Sequence, residues 1–191
     1  IGFLGLSLFF HLVSPNIPDL DSFYYIRLDD LYKTQGVFDA SFPWLPHTVI
    51  KDFSSALWYG FGIILIPFTL FFDLTAGIKA AGIIFTAVLL TLYFLVLKKR
   101  QIIGAIFWPF FLFFAAPNVS IHFLMTRPQI ISLILAAPLF FFLTKRMPWG
   151  IFLATFGIAW AHFNFAWLPL LMAGSLVITK FVLEKKFAWK K

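Results

Sequence analysis

Apolar residues gather into seven runs, at 1–13, 55–72, 76–97, 102–117, 129–144, 148–163 and 166–183, with short polar or basic breaks between them. Runs of this kind read as helices in or on a membrane, where a crossing helix needs about 20 residues. The first run, 13 residues from Ile1, falls short of that length. The expectation is that the start is truncated or that preceding residues complete the helix. The run has neither the charged leading region nor the small-residue cleavage site of a signal peptide. The other end, 184–191, is a polar basic tail, so the chain reads as the N-terminal part of a longer protein.

One long hydrophilic stretch, 14–54, interrupts the apolar pattern. Within it, 21–35 reads as an amphipathic helix. Pro15 and Pro18 precede it, Asp21-Ser22 can cap it, and Gly36 follows as a stop. Phe23, Tyr24, Leu28 and Leu31 fall on one stripe, suited to lying on a membrane surface. Phe42-Pro43-Trp44-Leu45-Pro46 reads as a rigid aromatic turn at headgroup level.

Composition narrows the class. The chain is 61% hydrophobic and 12% charged, with 28 phenylalanines, against about 25% charged residues in a soluble domain. A water-soluble core of this length cannot hide so much apolar surface. The fold class is therefore an all-α polytopic membrane protein, a single transmembrane domain over 1–191. Cysteine is absent, which excludes disulfides and thiolate metal sites. No repeat of fixed period and no soluble domain is visible, and no nucleic-acid partner is expected.

Charge sets an orientation. Lys98-Lys99-Arg100, Lys145-Arg146 and the C-terminal tail carry +3, +2 and +3, whereas loop 14–54 carries −3. The positive-inside rule places the basic clusters in the cytoplasm and 14–54 outside, as the first extracytoplasmic loop. An odd number of crossings must then separate that loop from Lys98, yet 55–72 and 76–97 make two. The run 55–72 contains Trp58, Tyr59, Gly60, Gly62 and Pro67, the composition of an interfacial or re-entrant helix, and is taken as the one that does not cross. The alternative is that it crosses and the Lys98 cluster is an exception to the rule. Runs 102–117 and 129–144 then form a hairpin around a second outer loop, 118–128, and the next hairpin turns outside near Asn164.

The candidate chemistry begins with Asp19 and Asp21, just past the first apolar run. Carboxylates beside a bilayer are costly to place. An alternating pair can share one Mg²⁺ or Mn²⁺, hard cations that keep open positions for phosphate oxygens. Arg27 stands six residues after Asp21 and suits a phosphate group. The competing reading is that Asp21 only caps the helix and Asp19 is solvated.

Asp19-Leu20-Asp21-Ser22-Phe23-Tyr24-Tyr25-Ile26-Arg27, the Gly36 turn, Phe42-Pro43-Trp44-Leu45-Pro46 and the aromatic–glycine stretch 57–62 together resemble the first extracytoplasmic loop of oligosaccharyltransferase catalytic subunits. More broadly the chain is similar to the GT-C superfamily of polyprenol-dependent membrane glycosyltransferases. The resemblance covers residues 10–70; beyond them only the hydropathy agrees. It implies a GT-C-like helix bundle whose first outer loop holds surface helices. It further implies Asp21 as catalytic residue and metal ligand, Asp19 as its acidic partner, and an isoprenoid-linked sugar donor.

The family places further catalytic residues in the second outer loop, here 118–128. Arg127 would grip phosphate there, or else snorkel to the interface. Many relatives carry a carboxylate in that loop; this chain has none between Phe114 and Arg146. A metal site would be completed by His122, by another part of the protein or by donor phosphate. His122 and His162, both placed near the outer face, read as metal ligands or acid–base groups, or as hydrogen-bonded structural residues. His47 would line the site, and His11 is expected to be structural. Tyr24, Tyr25 and Trp44 would stack on sugar or lie in the headgroup belt. Asn118-Val119-Ser120 fits a glycosylation acceptor but reads as chance.

A second function class is a transporter or flippase for lipid-linked glycans, or a membrane assembly protein without chemistry. A transporter is expected to carry ionisable residues near the middle of its spans and repeated halves; the sequence shows neither.

Overall fold

The computed structural model describes residues 2–13, 19–38 and 58–188, and among them every regular element is helical. The helices are α1 (Gly2–Val13), α2 (Asp21–Gln35), α3 (Tyr59–Phe71), α4 (Leu74–Lys99), α5 (Phe107–Phe114), α6 (Pro117–Leu124), α7 (Pro128–Lys145), α8 (Pro148–Ala161) and α9 (Leu168–Ala188). A 3-10 turn, Phe163–Phe165, joins the last two. Three helical stretches, Leu74–Lys99, Pro128–Lys145 and Phe163–Leu183, are long and apolar enough to cross a membrane, and a fourth is reached if the bent pair α5–α6 counts as one.

Helix α4 is the central post, packing against α1, α3, α7 and, more lightly, α2, α5 and α6. Asp73 starts it by accepting the Ala76 N–H at 2.8 Å. Its buried small residues Gly77, Ala81 and Gly82 let neighbours come close. At Gly82 a Cβ would lie 2.5 Å from Thr126 Oγ1 and 2.9 Å from His11 Nε2. Only glycine admits α1, α4 and the turn before α7 at one point. His11 is buried there and its Nδ1 bonds the Ser7 carbonyl at 2.8 Å, the structural role expected of it.

Helix α2 runs over the residues the pattern predicted and stops at Gly36, whose φ of 94° is the left-handed region that favours glycine. Its cap and its buried face differ from expectation. Asp19, not Asp21, caps it: Oδ1 accepts the Ser22 N–H at 2.8 Å and Oδ2 the Ser22 hydroxyl at 2.9 Å. Nor do Phe23, Tyr24, Leu28 and Leu31 act as one stripe. Phe23 is 53% exposed, while Tyr25, Leu28, Asp29, Leu31 and Tyr32 are buried. Helix α3 covers that face, so α2 rests on protein and its inward side accepts a carboxylate.

The run 102–117 is not one straight helix. Pro117 disfavours helical geometry at Ala116, which is extended (φ −156°, ψ 149°). Helices α5 and α6 therefore meet at 100°, with Phe113 and Phe123 stacked at 5.8 Å across the bend. The stretch 118–128, expected as a loop, is largely α6 and the turn that follows it. Ser120 of the glycosylation-like triplet donates to the Phe113 carbonyl at 2.6 Å and helps hold the bend. Helices α3 and α8 have 13 and 14 residues, about 20 Å at 1.5 Å per residue, against a hydrocarbon core of about 30 Å.

Candidate functional site

Arg127 reaches the site because of what surrounds it. Pro128 opens α7 and biases the preceding residue away from helix, and Arg127 is extended (φ −119°, ψ 155°). Two hydroxyls pin the turn before it to α4: Thr86 donates to the Phe123 carbonyl at 2.6 Å and Thr126 to the Ile78 carbonyl at 3.0 Å. The Arg127 side chain then meets the start of α2. Its Nη2 lies 3.0 Å from Asp21 Oδ2 and 3.6 Å from Asp19 Oδ1.

The two carboxylates are unequal. The Asp19 side chain is 3% exposed and fixed by Ser22, whereas that of Asp21 is 58% exposed. Asp19 is thus the structural member, holding the helix start and orienting Arg127. Asp21 is the member that a second molecule can reach. This reverses the alternative in which Asp21 caps and Asp19 is solvated.

Beside Arg127 lies a cavity of about 260 Å³, lined by His122, Phe123, Arg127, Gln129, Ile130 and Leu133. Arg127 Nε and Gln129 Oε1 are buried and have no hydrogen-bond partner among the described residues. A buried polar atom without a partner costs free energy, so both mark a place fitted to a polar guest. Phe123 and Leu133 also line an adjoining apolar cavity of about 420 Å³ between α4, α5 and α7.

Tyr25 flanks the acids, its ring 5.1 Å from Phe61 and 5.8 Å from Trp58. Burial first, and then the Asp21 carboxylate, push its phenol well above the ordinary value. Tyr24 packs edge-on against Tyr25 and Trp58, and burial raises its phenol too. Both tyrosines are therefore packed into the wall. Arg27 does not join the pair; it bonds Asp30 at 2.6 Å on the exposed side of α2. His122 is exposed on α6 and reaches the site only as a cavity wall. His162 is buried against Phe165, ring centroids 4.6 Å apart. Trp44 and His47 lie outside the described residues.

Asp19 and Asp21, expected to share a Mg²⁺ or Mn²⁺, both lie against Arg127. The carboxylate oxygens that would hold it face a guanidinium, and among the described residues no three histidines or carboxylates gather.

One polar cluster was missed in the sequence. Asp29, fully buried in α2, accepts the Thr69 hydroxyl of α3 and lies 3.4 Å from Lys33 Nζ. Lys33 also donates to Thr69 Oγ1 at 3.0 Å. Burial holds the Asp29 carboxyl above its ordinary value, against the pull of Thr69 and Lys33. The signals were an i,i+4 Asp–Lys pair and a threonine in an apolar helix, weak until the two helices are known to touch.

No family model, curated protein or solved structure matches this chain.

Proposed function

We propose that this chain carries a GT-C-type glycosyltransferase site, which moves a sugar or glycan from an isoprenoid phosphate or diphosphate to an acceptor on the extracytoplasmic face of the membrane. The observation that carries the reading is Arg127, which binds the exposed Asp21 while its buried Nε, beside the cavity, has no partner among the described residues. One guanidinium thereby joins a carboxylate able to handle the acceptor to a space fitted for phosphate.

In this reading the donor phosphate enters the 260 Å³ cavity and takes hydrogen bonds from Arg127, with His122 in the wall. The isoprenoid tail lies in the adjoining apolar cavity between α4, α5 and α7. The acceptor attacks the anomeric carbon, the carbon–oxygen bond to phosphate breaks, and Asp21 takes the acceptor's proton. Arg127 stabilises the charge that builds on the leaving phosphate. Its ion pair with Asp21 aims that carboxylate. A divalent cation belongs to the family resemblance; Asp19 and Asp21 are the residues that would hold it, and no step here runs through one.

The test is transfer from a panel of isoprenoid-phosphate sugars in membranes containing the chain, with product read by mass spectrometry. The reading expects product with the parent and loss with Asp21→Asn at equal expression. Unchanged transfer with Asp21→Asn would sink it.

A further inference from the structure

The far end of the α4–α7 pair carries a second, opposite arrangement. There α4 ends in Lys98 and Lys99, followed by Arg100, and α7 ends in Lys145, followed by Arg146. The two ends are tied together: Arg100 Nη2 donates to Thr144 Oγ1 at 2.6 Å. Lys99 Nζ sits 4.1 Å from the Phe141 ring centroid, and the Arg100 guanidinium 5.3 Å from that of Phe140. These contacts aim both cations at one place.

That place is the charged end of an apolar cavity of about 170 Å³, walled by Leu92, Val96, Ala137, Pro138 and Phe140 with Lys99 and Arg100. The short side chains of Ala137 and Pro138 leave the gap. Val96, Ala137 and Phe140 also line the larger apolar cavity, so the groove continues along both helices.

Among the described residues no carboxylate pairs with this charge. Between Asp73 and Glu184 the sequence has no aspartate or glutamate. None of the five basic residues makes an ion pair among the described residues. Cations collected at the end of an apolar groove, on two helices long enough to cross a membrane, call for a ligand with an anionic head and an aliphatic tail. A soluble anion would leave the groove unfilled, and an apolar peptide would leave the charge unmet.

We propose that this groove binds one anionic phospholipid, its phosphate held by Lys99 and Arg100 and an acyl chain laid between α4 and α7. Guanidinium and ammonium groups together grip a phosphodiester, and basic recesses between membrane helices recognise anionic headgroups on this principle. Lys99 and Arg100 stand apart from the Asp21–Arg127 centre, and the proposal does not depend on that centre's function. Val96, Ala137 and Phe140 nonetheless wall both this groove and the cavity given above to the isoprenoid tail. The bound lipid closes the space between the two helix ends and supplies a counter-charge to Lys99 and Arg100.

The experiment is native mass spectrometry of the whole chain released from nanodiscs of phosphatidylcholine and phosphatidylglycerol mixed 4:1. One retained phosphatidylglycerol per chain is expected. K99Q/R100Q should lower that retention about tenfold or more, since each basic residue near a lipid surface contributes of order one kcal/mol. K79Q/K180Q removes two charges elsewhere and should leave retention unchanged. Ala137→Phe, which fills the groove and spares the cations, should lose the lipid while keeping parental helicity by circular dichroism. Should Ala137→Phe fail to fold, Val96→Phe fills the groove from the α4 side. The proposal is overturned by equal retention of the two lipids, by equal losses in K99Q/R100Q and K79Q/K180Q, or by full retention in a folded groove-filled variant.

Discussion

Helix α2 carries two acidic sites built to different ends. At its start, Asp21 is exposed and meets Arg127, a residue remote in sequence, beside a cavity and unpartnered polar atoms. Two turns later Asp29 is fully buried and held by Lys33 of the same helix and Thr69 of the next. The second carboxylate fastens α2 to α3 and is fully buried, with its Oδ1 unpartnered among the described residues. The first is half open, and its arginine keeps donor capacity in reserve. A buried charge, even one with an unpaired oxygen, does not identify a functional site; an accessible charge beside a cavity is the more telling sign.

Neutralising each acid in turn separates the two sites. Asp21→Asn should lower transfer by about 10²–10⁴-fold, the range for loss of a positioned acid or base. Its melting temperature should stay at the parental value, because the carboxylate is largely exposed. Asp29→Ala should do the opposite. It removes the partner of a mostly buried lysine and should cost about 1–3 kcal/mol of stability, read by thermal unfolding in detergent. Equal stability losses at the two positions would erase the distinction.

Ser22→Ala lies between these extremes. It deletes one of the two hydrogen bonds fixing Asp19 and should cost about 0.5–1.5 kcal/mol, with a smaller loss of transfer than Asp21→Asn. The finest comparison is in pH. Because burial raises the Asp29 carboxyl in the fold, the folded state favours its protonated form. Its penalty is absent below the unfolded value of about 4 and grows as pH rises through the folded value. Asp29→Asn should therefore gain stability relative to the parent as pH rises from about 4, then level off. Thermal unfolding across pH checks the sign, and a gain on acidification would reverse it.

Much of the helical layout was legible in the sequence because it is local. Gly36 and the flanking basic residues mark ends that the structure keeps. The break at Ala116–Pro117 was also local, but a purely apolar run hid it, since hydropathy carries no record of backbone geometry. The buried face of α2 was not legible, because the helix buries Asp29 and exposes Phe23, contrary to what polarity suggests. At the candidate site, Asp19, Asp21 and Arg127 were each singled out. Their direct pairing was not, because it depends on threonine contacts that fix the 123–127 turn against α4. Sequence spacing within one loop suggested a shared metal; the fold brings in an arginine from another segment.

If Asp21 and Arg127 act as one unit, a double-mutant cycle on transfer reveals it. Asp21→Asn, Arg127→Gln and the double variant would be compared in the same membranes at equal expression. Residues that work as one unit lose no more together than the worse single loss, and that is the result expected. Losses that multiply, or transfer untouched by either change, would contradict it.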